Sequence, residues 1–288
     1  APGQEKGHAP VSNLYLNGKF LPLDQGFVSV EDRGFQFGDG VYEVIRIYNG
    51  KAFRLGRHLE RLEQSVRGIE IRMPEPQARM AEICRTLIGD LREAQIYLQV
   101  TRGTAPRVHA FPKECPPTFV AYSREVKPPA PERTFKLKSM PDDRWGRCHL
   151  KTICLLANIL GKQRAVEAGC DEGLFVRDDG TVTEGTSSNA FFVRGGTLYT
   201  HPVTNRILNG VTREVILELA KGQGVPVREE AQTFAQASAA DEAFITGTLS
   251  EITPAVEIDG RPVGAGSAGP VTRKLRDAFR ALTRLETS

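Results

Sequence analysis

The sequence predicts a two-domain protein: a smaller α+β domain, then a larger α/β-type domain with a sheet or barrel core and helices. Three observations lead to this fold class. Residues 1–126 alternate short strand patterns with amphipathic stretches, a proline-rich segment follows, and the remainder alternates longer helical patterns with strands. At 288 residues and 40% hydrophobic, the chain can form two cores. We therefore expect domains at 1–126 and 132–288, joined by a linker at 127–131.

Two hairpins are predicted in the first domain. Asn17-Gly18 follows a short apolar strand, and Asn49-Gly50 follows an alternating strand over 41–48. Asn-Gly is a strong hairpin signal, since both residues tolerate the left-handed conformation of a tight turn. Apolar spacing then predicts helices over 55–67 and 76–91, and strands over 95–101 and 118–122. This half should contain a mostly antiparallel sheet.

The second domain begins after Pro128 and Pro129, because consecutive prolines exclude both a helix interior and a central strand. A helix is predicted over 150–167, closed by Gly169. The remaining elements are strand pairs turning at 178–180 and 194–196, helices over 211–221 and 270–285, and strands over 242–247 and 255–258.

Composition excludes several classes of protein. The net charge is only +3, with both signs interspersed, which argues against nucleic-acid or membrane-surface binding. Five cysteines without a CxxC pair argue against a disulfide framework or a metal site and favour a reducing cytoplasm. No apolar run approaches the roughly 18 to 20 residues of a membrane helix. Ala1–Pro10 is polar and rich in glycine and proline, and we expect it to be frayed.

The chemistry-bearing residues begin with Lys151, Glu184 and residues 209–212. By position alone, the lysine is more often a solvated charge and the glutamate a turn carboxylate. However, apolar neighbours of Lys151 remove part of its hydration and favour the neutral amine that forms an imine. The start of the helix at 211–221 presents unpaired backbone N–H groups, which attract an anion. An amine, a carboxylate and an anion site are what pyridoxal phosphate requires of a protein.

Four segments, 31–43, 183–189, 208–213 and 250–254, resemble those of the fold-type IV pyridoxal phosphate enzymes. Within that group the chain is most similar to the D-amino acid aminotransferases, and the likeness runs from about residue 14 to about residue 281. Such coverage is far more specific than any single short motif.

The resemblance implies pyridoxal 5′-phosphate as cofactor. Lys151 is then the residue that carries the cofactor through a Schiff base and moves the proton at the substrate's Cα. Glu184 holds the pyridine nitrogen in its protonated form. The other expected cofactor contacts are Arg61, Val211, Thr212 and Thr248 for the phosphate, together with Ser187, Ser188 and Leu208.

Substrate choice rests on Arg107 and His109, two residues apart in a loop. Either residue can be merely exposed and polar, but alternate side chains of an extended loop point the same way and can meet one carboxylate. The resemblance assigns them, with Tyr42, to the α-carboxylate of a D-amino acid. It also implies a homodimer in which the Arg107 loop reaches the neighbour's site.

We therefore expect transamination from a D-amino acid, first D-alanine, to 2-oxoglutarate or pyruvate. The alternatives within the enzyme class are a branched-chain L-aminotransferase, an (R)-amine transaminase and, less favoured, a lyase on the same cofactor. A pyridoxal phosphate-binding protein without turnover is the alternative outside it.

Overall fold

The computed structural model describes residues 13–288, so the prediction for Ala1–Pro10 lies outside the described residues. The chain divides into two compact units. One contains the described residues up to Val126, together with Thr152–Cys154. The other contains Lys127–Lys151 and Leu155–Ser288.

The first unit is built on a six-stranded antiparallel sheet. Its strands are β1 (Leu14–Leu16), β2 (Lys19–Leu21), β3 (Gly40–Tyr48), β4 (Lys51–Ala52), β5 (Ala94–Thr101) and β6 (Thr118–Glu125). Its helices are α1 (Arg33–Phe37), α2 (Leu55–Gly68) and α3 (Gln77–Ile88), with a short 3-10 helix at Leu23–Gln25. The strand order is β2-β1-β6-β5-β3-β4, which confirms the α+β prediction for this half.

The core of this unit lies between the sheet and the apolar faces of α2 and α3. Leu59, Leu62 and Val66 occur at helical spacing on α2 and are fully buried against alternate residues of β3 and β5. The opposite faces of β3, β5 and β6 carry tyrosines instead. Tyr42, Tyr97 and Tyr122 stack in sequence across the three strands, with centroids 5.7 Å and 5.1 Å apart.

Both predicted hairpins form in this unit. Asn17 and Asn49 have φ of 44° and 49°, and the glycine after each is also left-handed, as a two-residue turn with positive φ at both positions requires. Helix α3 ends three residues before the predicted boundary. Gly89, with φ of 48°, follows its last residue and stops it.

The second unit is built on a nine-stranded mixed sheet, in the order β12-β11-β10-β13-β14-β7-β8-β9, with β15 beside β14. Its strands are β7 (Phe135–Pro141), β8 (Glu172–Val176), β9 (Val182–Gly185), β10 (Asn189–Arg194), β11 (Thr197–Thr200), β12 (Val227–Glu229), β13 (Glu242–Gly247), β14 (Glu251–Ile258) and β15 (Arg261–Pro262). Its helices are α4 (Leu156–Glu167), α5 (Val211–Gly222), α6 (Phe234–Ser238) and α7 (Pro270–Thr287).

Both faces of the central strands of this sheet are covered. Ala190 and Phe192 lie in one apolar cluster, whereas Phe191 stacks on Phe244 of β13 at 4.9 Å on the other face. Helices α5 and α7 pack on β13 and on each other. The continuous apolar run of β10 is explained by this double burial.

The predicted helix over 150–167 is wrong at its start, since α4 begins only at Leu156. Thr152 forms a β-bridge with Val41, and the Ile153 N–H donates to the Gly40 carbonyl at 3.0 Å. An N–H used by a sheet cannot also serve a helix. Lys151 therefore lies on irregular backbone before the helix. Strand β14 also begins four residues earlier than predicted.

In the described range 13–288, no helix is both long and apolar enough to cross a membrane.

Candidate active site

Glu184, at the end of β9, is the most heavily bonded of the predicted site residues. Its carboxylate accepts hydrogen bonds from Arg144 Nη1 at 2.6 Å, from Asn189 Nδ2 at 3.0 Å and from the Leu208 N–H at 3.1–3.2 Å. The Asn189 amide also donates to the Leu208 carbonyl at 2.8 Å. Glu184 and Leu208, far apart in sequence, thus meet directly.

Burial raises the pKa of Glu184 to about 7, against the attraction of the Arg144 guanidinium. Arg144 cannot hold Glu184 fully ionised because it also pairs with Asp142 through Nε, at 2.8 Å, and through Nη2. Burial opposes ionisation of Asp142 too, but the hydrogen bond and charge of Arg144 lower its pKa. Sequence reasoning missed both residues. Their signal, an Asp-x-Arg-Trp run after a predicted strand, is too common to predict a site.

Lys151 is half-buried and follows the buried Leu150 in the irregular segment between β7 and α4. The preceding turn is fixed at two points: the Cys148 N–H donates to the Asn205 carbonyl at 2.8 Å, and the Leu150 N–H to that of Arg147 at 3.1 Å. Its backbone position is thereby tied to the 201–209 segment that leads into α5.

The N-terminus of α5 has no side-chain cap, and it begins with the buried residues Val211 and Thr212. Gly210, the residue before the helix, approaches Asn189 so closely that a Cβ there would lie 2.1 Å from Asn189 Oδ1. The uncapped N–H groups of a twelve-residue helix are suited to a phosphate.

Ser187, Ser188 and Thr248 lie at one end of the mixed sheet. Asn189 of β10 pairs with Thr246 of β13, so the turn before β10 and the turn after β13 are neighbours. The first turn is held by Glu172, whose carboxylate accepts from the Thr186 N–H and hydroxyl and from Ser187 Oγ. Glu172 was also missed, although a charged residue beginning a strand as apolar as β8 is a usable signal.

The described residues of this unit fit pyridoxal phosphate. The hydroxyls of Ser188 and Thr246 are buried and have no hydrogen-bond partner within residues 13–288, so both can accept or donate a further bond. The uncapped helix suits the phosphate. The buried Glu184, with a pKa near neutrality, suits a ring nitrogen that can be protonated. Over the same range no group of three or more histidine, cysteine or acidic side chains is arranged to hold a metal ion.

In the first unit, Arg61 of α2 is fixed by a buried carboxylate on β3. Its Nε and Nη2 donate to the two oxygens of Glu43 at 2.6 Å and 2.9 Å, and His58 Nδ1 lies 2.9 Å from Glu43 Oε2. Burial alone would raise the pKa of Glu43, but the opposite charge of Arg61 and hydrogen bonds from His58 and Arg61 lower it strongly. Glu43 is a further site residue that sequence reasoning did not assign. Tyr42, next to it, faces the tyrosine ladder.

Arg107 and His109 lie in the exposed loop between β5 and β6, and both contact Phe37. The Arg107 guanidinium carbon is 5.0 Å from the Phe37 ring centroid, and the rings of His109 and Phe37 are 5.6 Å apart. Across the described residues, neither side chain has a hydrogen-bond or ion-pair partner. The structure thus brings the two predicted substrate residues together around one aromatic ring.

Known proteins match the chain over most of its length. The family model for class IV amino-transferases matches residues 40–258. D-alanine aminotransferase of Bacillus licheniformis is 41% identical over 96% of this chain and 98% of its own length. That of Staphylococcus haemolyticus is 39% identical over 93% of this chain and 97% of its own.

Solved structures show the same fold. The branched-chain amino acid aminotransferase of Escherichia coli superposes with a TM-score of 0.87 and 28% identity, covering 96% of each chain. That of T.th., complexed with N-(5′-phosphopyridoxyl)-L-glutamate, gives a TM-score of 0.86 and 29% identity, covering 94% of this chain and 93% of its own. The fold-type IV prediction is confirmed. The chain belongs to the class IV aminotransferases.

Proposed function

We propose that the protein is a pyridoxal 5′-phosphate-dependent transaminase that moves the amino group of a D-amino acid to a 2-oxo acid. The observation that carries the proposal is 41% identity to a D-alanine aminotransferase across nearly the whole chain, against 28% to a branched-chain enzyme of the same fold. D-alanine is the first donor to test, with 2-oxoglutarate or pyruvate as acceptor.

The proposed cofactor residues each have a chemical role. When bound, pyridoxal phosphate supplies an electron-withdrawing ring that stabilises negative charge at the substrate's Cα. The Lys151 amine bonds to the cofactor and moves the proton at Cα. Glu184 keeps the ring nitrogen protonated. The remaining assigned contacts are the start of α5 at Val211 and Thr212, the residues Arg61 and Thr248 for the phosphate, and Ser187, Ser188 and Leu208.

Two features of the described residues support these roles. Leu208 and Asn189 fix both oxygens of Glu184, so the carboxylate is held in one orientation before any ligand binds. Glu43 fixes the planar fork of Arg61 in the same way. In each case the buried partner reduces the reorganisation that binding requires.

Arg107 and His109 are proposed to bind the substrate α-carboxylate, with Tyr42 beside them. An exposed guanidinium and imidazole that share one aromatic ring, and have no other polar partner among residues 13–288, can donate to an incoming anion without first breaking a bond. An amine without a carboxylate makes no such contact.

We further propose that the active form is a homodimer in a reducing compartment, the cytoplasm. Helix α4 exposes Leu156, Ile159 and Leu160 at helical spacing, with 69%, 60% and 47% of their surface accessible. A contiguous apolar stripe of this kind is typical of a protein interface. All five cysteines are unpaired, as in proteins of reducing compartments.

The deciding experiment is a pair of half-reactions on the purified holoenzyme. D-alanine should discharge the absorbance of the bound cofactor rapidly, and pyruvate should restore it, whereas L-alanine and L-leucine should act far more slowly. Faster reaction with L-leucine would replace the proposal by a branched-chain activity, and faster reaction with (R)-1-phenylethylamine by an amine transaminase. An absorbance that persists with all four amines would indicate an inert binding protein.

A further inference from the structure

We infer that Arg33 is a positioning residue for the substrate carboxylate: its buried guanidinium fixes the backbone that carries Arg107 and His109. The inference rests on the proposed function, since it presumes that these two side chains bind the carboxylate. Arg33 itself lies 3% exposed at the start of α1 and takes no direct part in binding.

The guanidinium of Arg33 binds three consecutive backbone carbonyls of the 103–111 loop. Nη1 donates to Val108 O at 2.5 Å and, at 3.5 Å, to Ala110 O, while Nη2 donates to His109 O at 3.3 Å. No other described side chain bonds to the backbone of 106–110. This part of the loop has no regular secondary structure, so these carbonyl contacts are what determine its course.

Arg33 is in turn aimed by Asp39. Its Nε donates to Asp39 Oδ2 at 2.9 Å, and Arg102, at the base of the loop, pairs with the same carboxylate at 2.8 Å and 3.0 Å. One acid thus joins the base of the loop to the residue that holds its far half. Charge-assisted, multidentate bonds of this kind are short and directional, which makes the arrangement rigid.

The base of the loop is stitched to the same segment through the backbone. The Arg33 N–H donates to Gly103 O at 2.9 Å, and the Ala105 N–H to Glu31 O at 3.3 Å. Gly103 has φ of 103°, and a Cβ there would lie 2.0 Å from Pro116 O, so only glycine fits.

Phe37 completes the support, because its ring contacts both Arg33 and the two proposed substrate residues. The guanidinium carbons of Arg33 and Arg107 lie 4.9 Å and 5.0 Å from its centroid, and His109 packs beside it. Arg33 therefore sets the backbone and Phe37 the side-chain directions of one pair. Ordering them before binding removes an entropy cost that the substrate would otherwise bear.

The test compares Arg33→Lys with Arg46→Lys, a matched control. Arg46 is also a buried arginine of the first unit that donates to two carbonyls, Ala94 O and Val126 O, and pairs with an acid, but its contacts are remote in sequence from the loop. Lysine keeps the charge but is a point donor that cannot span three carbonyls. For Arg33→Lys we expect the KM for D-alanine to rise about ten-fold, with kcat within about two-fold of wild type. Arg46→Lys should change neither by more than about two-fold.

Hydrogen–deuterium exchange gives a second readout that does not depend on turnover. Peptides covering 103–111 should exchange faster in Arg33→Lys, while those of β3 and β5 should not change. Should Arg33→Lys fail to fold, Asp39→Asn decides instead. It removes the charge that aims Arg33, and we expect a smaller KM increase with the same local exchange.

Arg107→Ala, measured in parallel, separates the two levels of the argument. If Arg107→Ala raises KM strongly while Arg33→Lys and Asp39→Asn leave KM and loop exchange unchanged, Arg33 has no positioning role and the proposed function stands. If Arg107→Ala leaves KM unchanged, the carboxylate assignment fails, and the inference about Arg33 fails with it.

Discussion

Two buried glutamates show how strongly the surroundings of a residue determine its chemistry. Burial acts to raise the pKa of both Glu43 and Glu184. For Glu43, two nitrogens of Arg61 and one of His58 outweigh burial, and the carboxylate stays ionised. Glu184 has only one nitrogen of Arg144, which also serves Asp142, and its pKa remains at about 7. The first carboxylate is suited to fixing a cation and the second to sharing a proton.

Glu184 should make the stability of the cofactor-free protein depend on pH. Because its pKa rises from 4.5 to about 7 on folding, the folded state binds the proton more tightly. The stabilisation is full below about pH 4.5 and is lost as pH rises through about 7, to an extent of about 3 kcal/mol. Urea unfolding of the wild type and Glu184→Gln between pH 5 and 8 measures this. The difference in unfolding free energy should change with pH, and a constant difference would rule out the titration.

The same substitution should slow catalysis in the holoenzyme more than it weakens substrate binding. A neutral amide cannot stabilise a protonated ring nitrogen, and the loss should be on the order of 10² in the single-turnover rate with D-alanine. An undiminished rate would remove the role proposed for Glu184.

Lys151→Ala should abolish transamination and leave the fold intact, since the side chain is half-buried and lies on irregular backbone. In the wild type, borohydride reduction followed by peptide mapping should find the cofactor attached to Lys151. Circular dichroism of the variant is the control for folding. Attachment to a different lysine would show that the assignment is wrong.

At the scale of elements, the start of α5 depends on a glycine. Gly210 has φ of −67°, so the residue is required by space and not by conformation. A Cβ would lie 2.1 Å from Asn189 Oδ1, and Asn189 cannot move without releasing Glu184 and Leu208.

Gly210→Ala should therefore lower the free energy of unfolding by about 1–3 kcal/mol, the usual cost of overpacking. It should also weaken retention of the cofactor during dialysis. Gly222→Ala, at the other end of α5, is the matched control. Nothing lies within 4 Å of a Cβ there, and this variant should be as stable as wild type or more so. Equal effects of the two changes would contradict the account.

At the scale of the whole molecule, the proposed dimer depends on the exposed stripe of α4. Ile159→Asp should shift sedimentation from dimer to monomer at micromolar concentration, because a charge in an apolar interface is desolvated without a partner. Leu285→Asp alters a residue of α7 that is 75% exposed and should leave the sedimentation unchanged. A wild-type protein that sediments as an active monomer would exclude the dimer.

Much of the fold was determined by local sequence. The Asn-Gly turns, the amphipathic pattern of α2 and the proline that begins α7 each act on their immediate neighbours, and all three elements lie where the pattern predicts. The residues assigned to the cofactor and the carboxylate were found in the same way, from short segments that resemble a known family. Their roles remain predictions.

What only the tertiary structure decided are the contacts between residues distant in sequence. Helical periodicity placed the start of α4 at 150, but pairing of Thr152 and Ile153 with β3 moved it to Leu156. Likewise, nothing near Arg144, Glu43 or Arg33 in the chain indicates that they hold Glu184, Arg61 and the 103–111 loop. The physical reason is that burial and long-range hydrogen bonds exist only once the chain is packed, whereas propensity and turn chemistry act within a few residues.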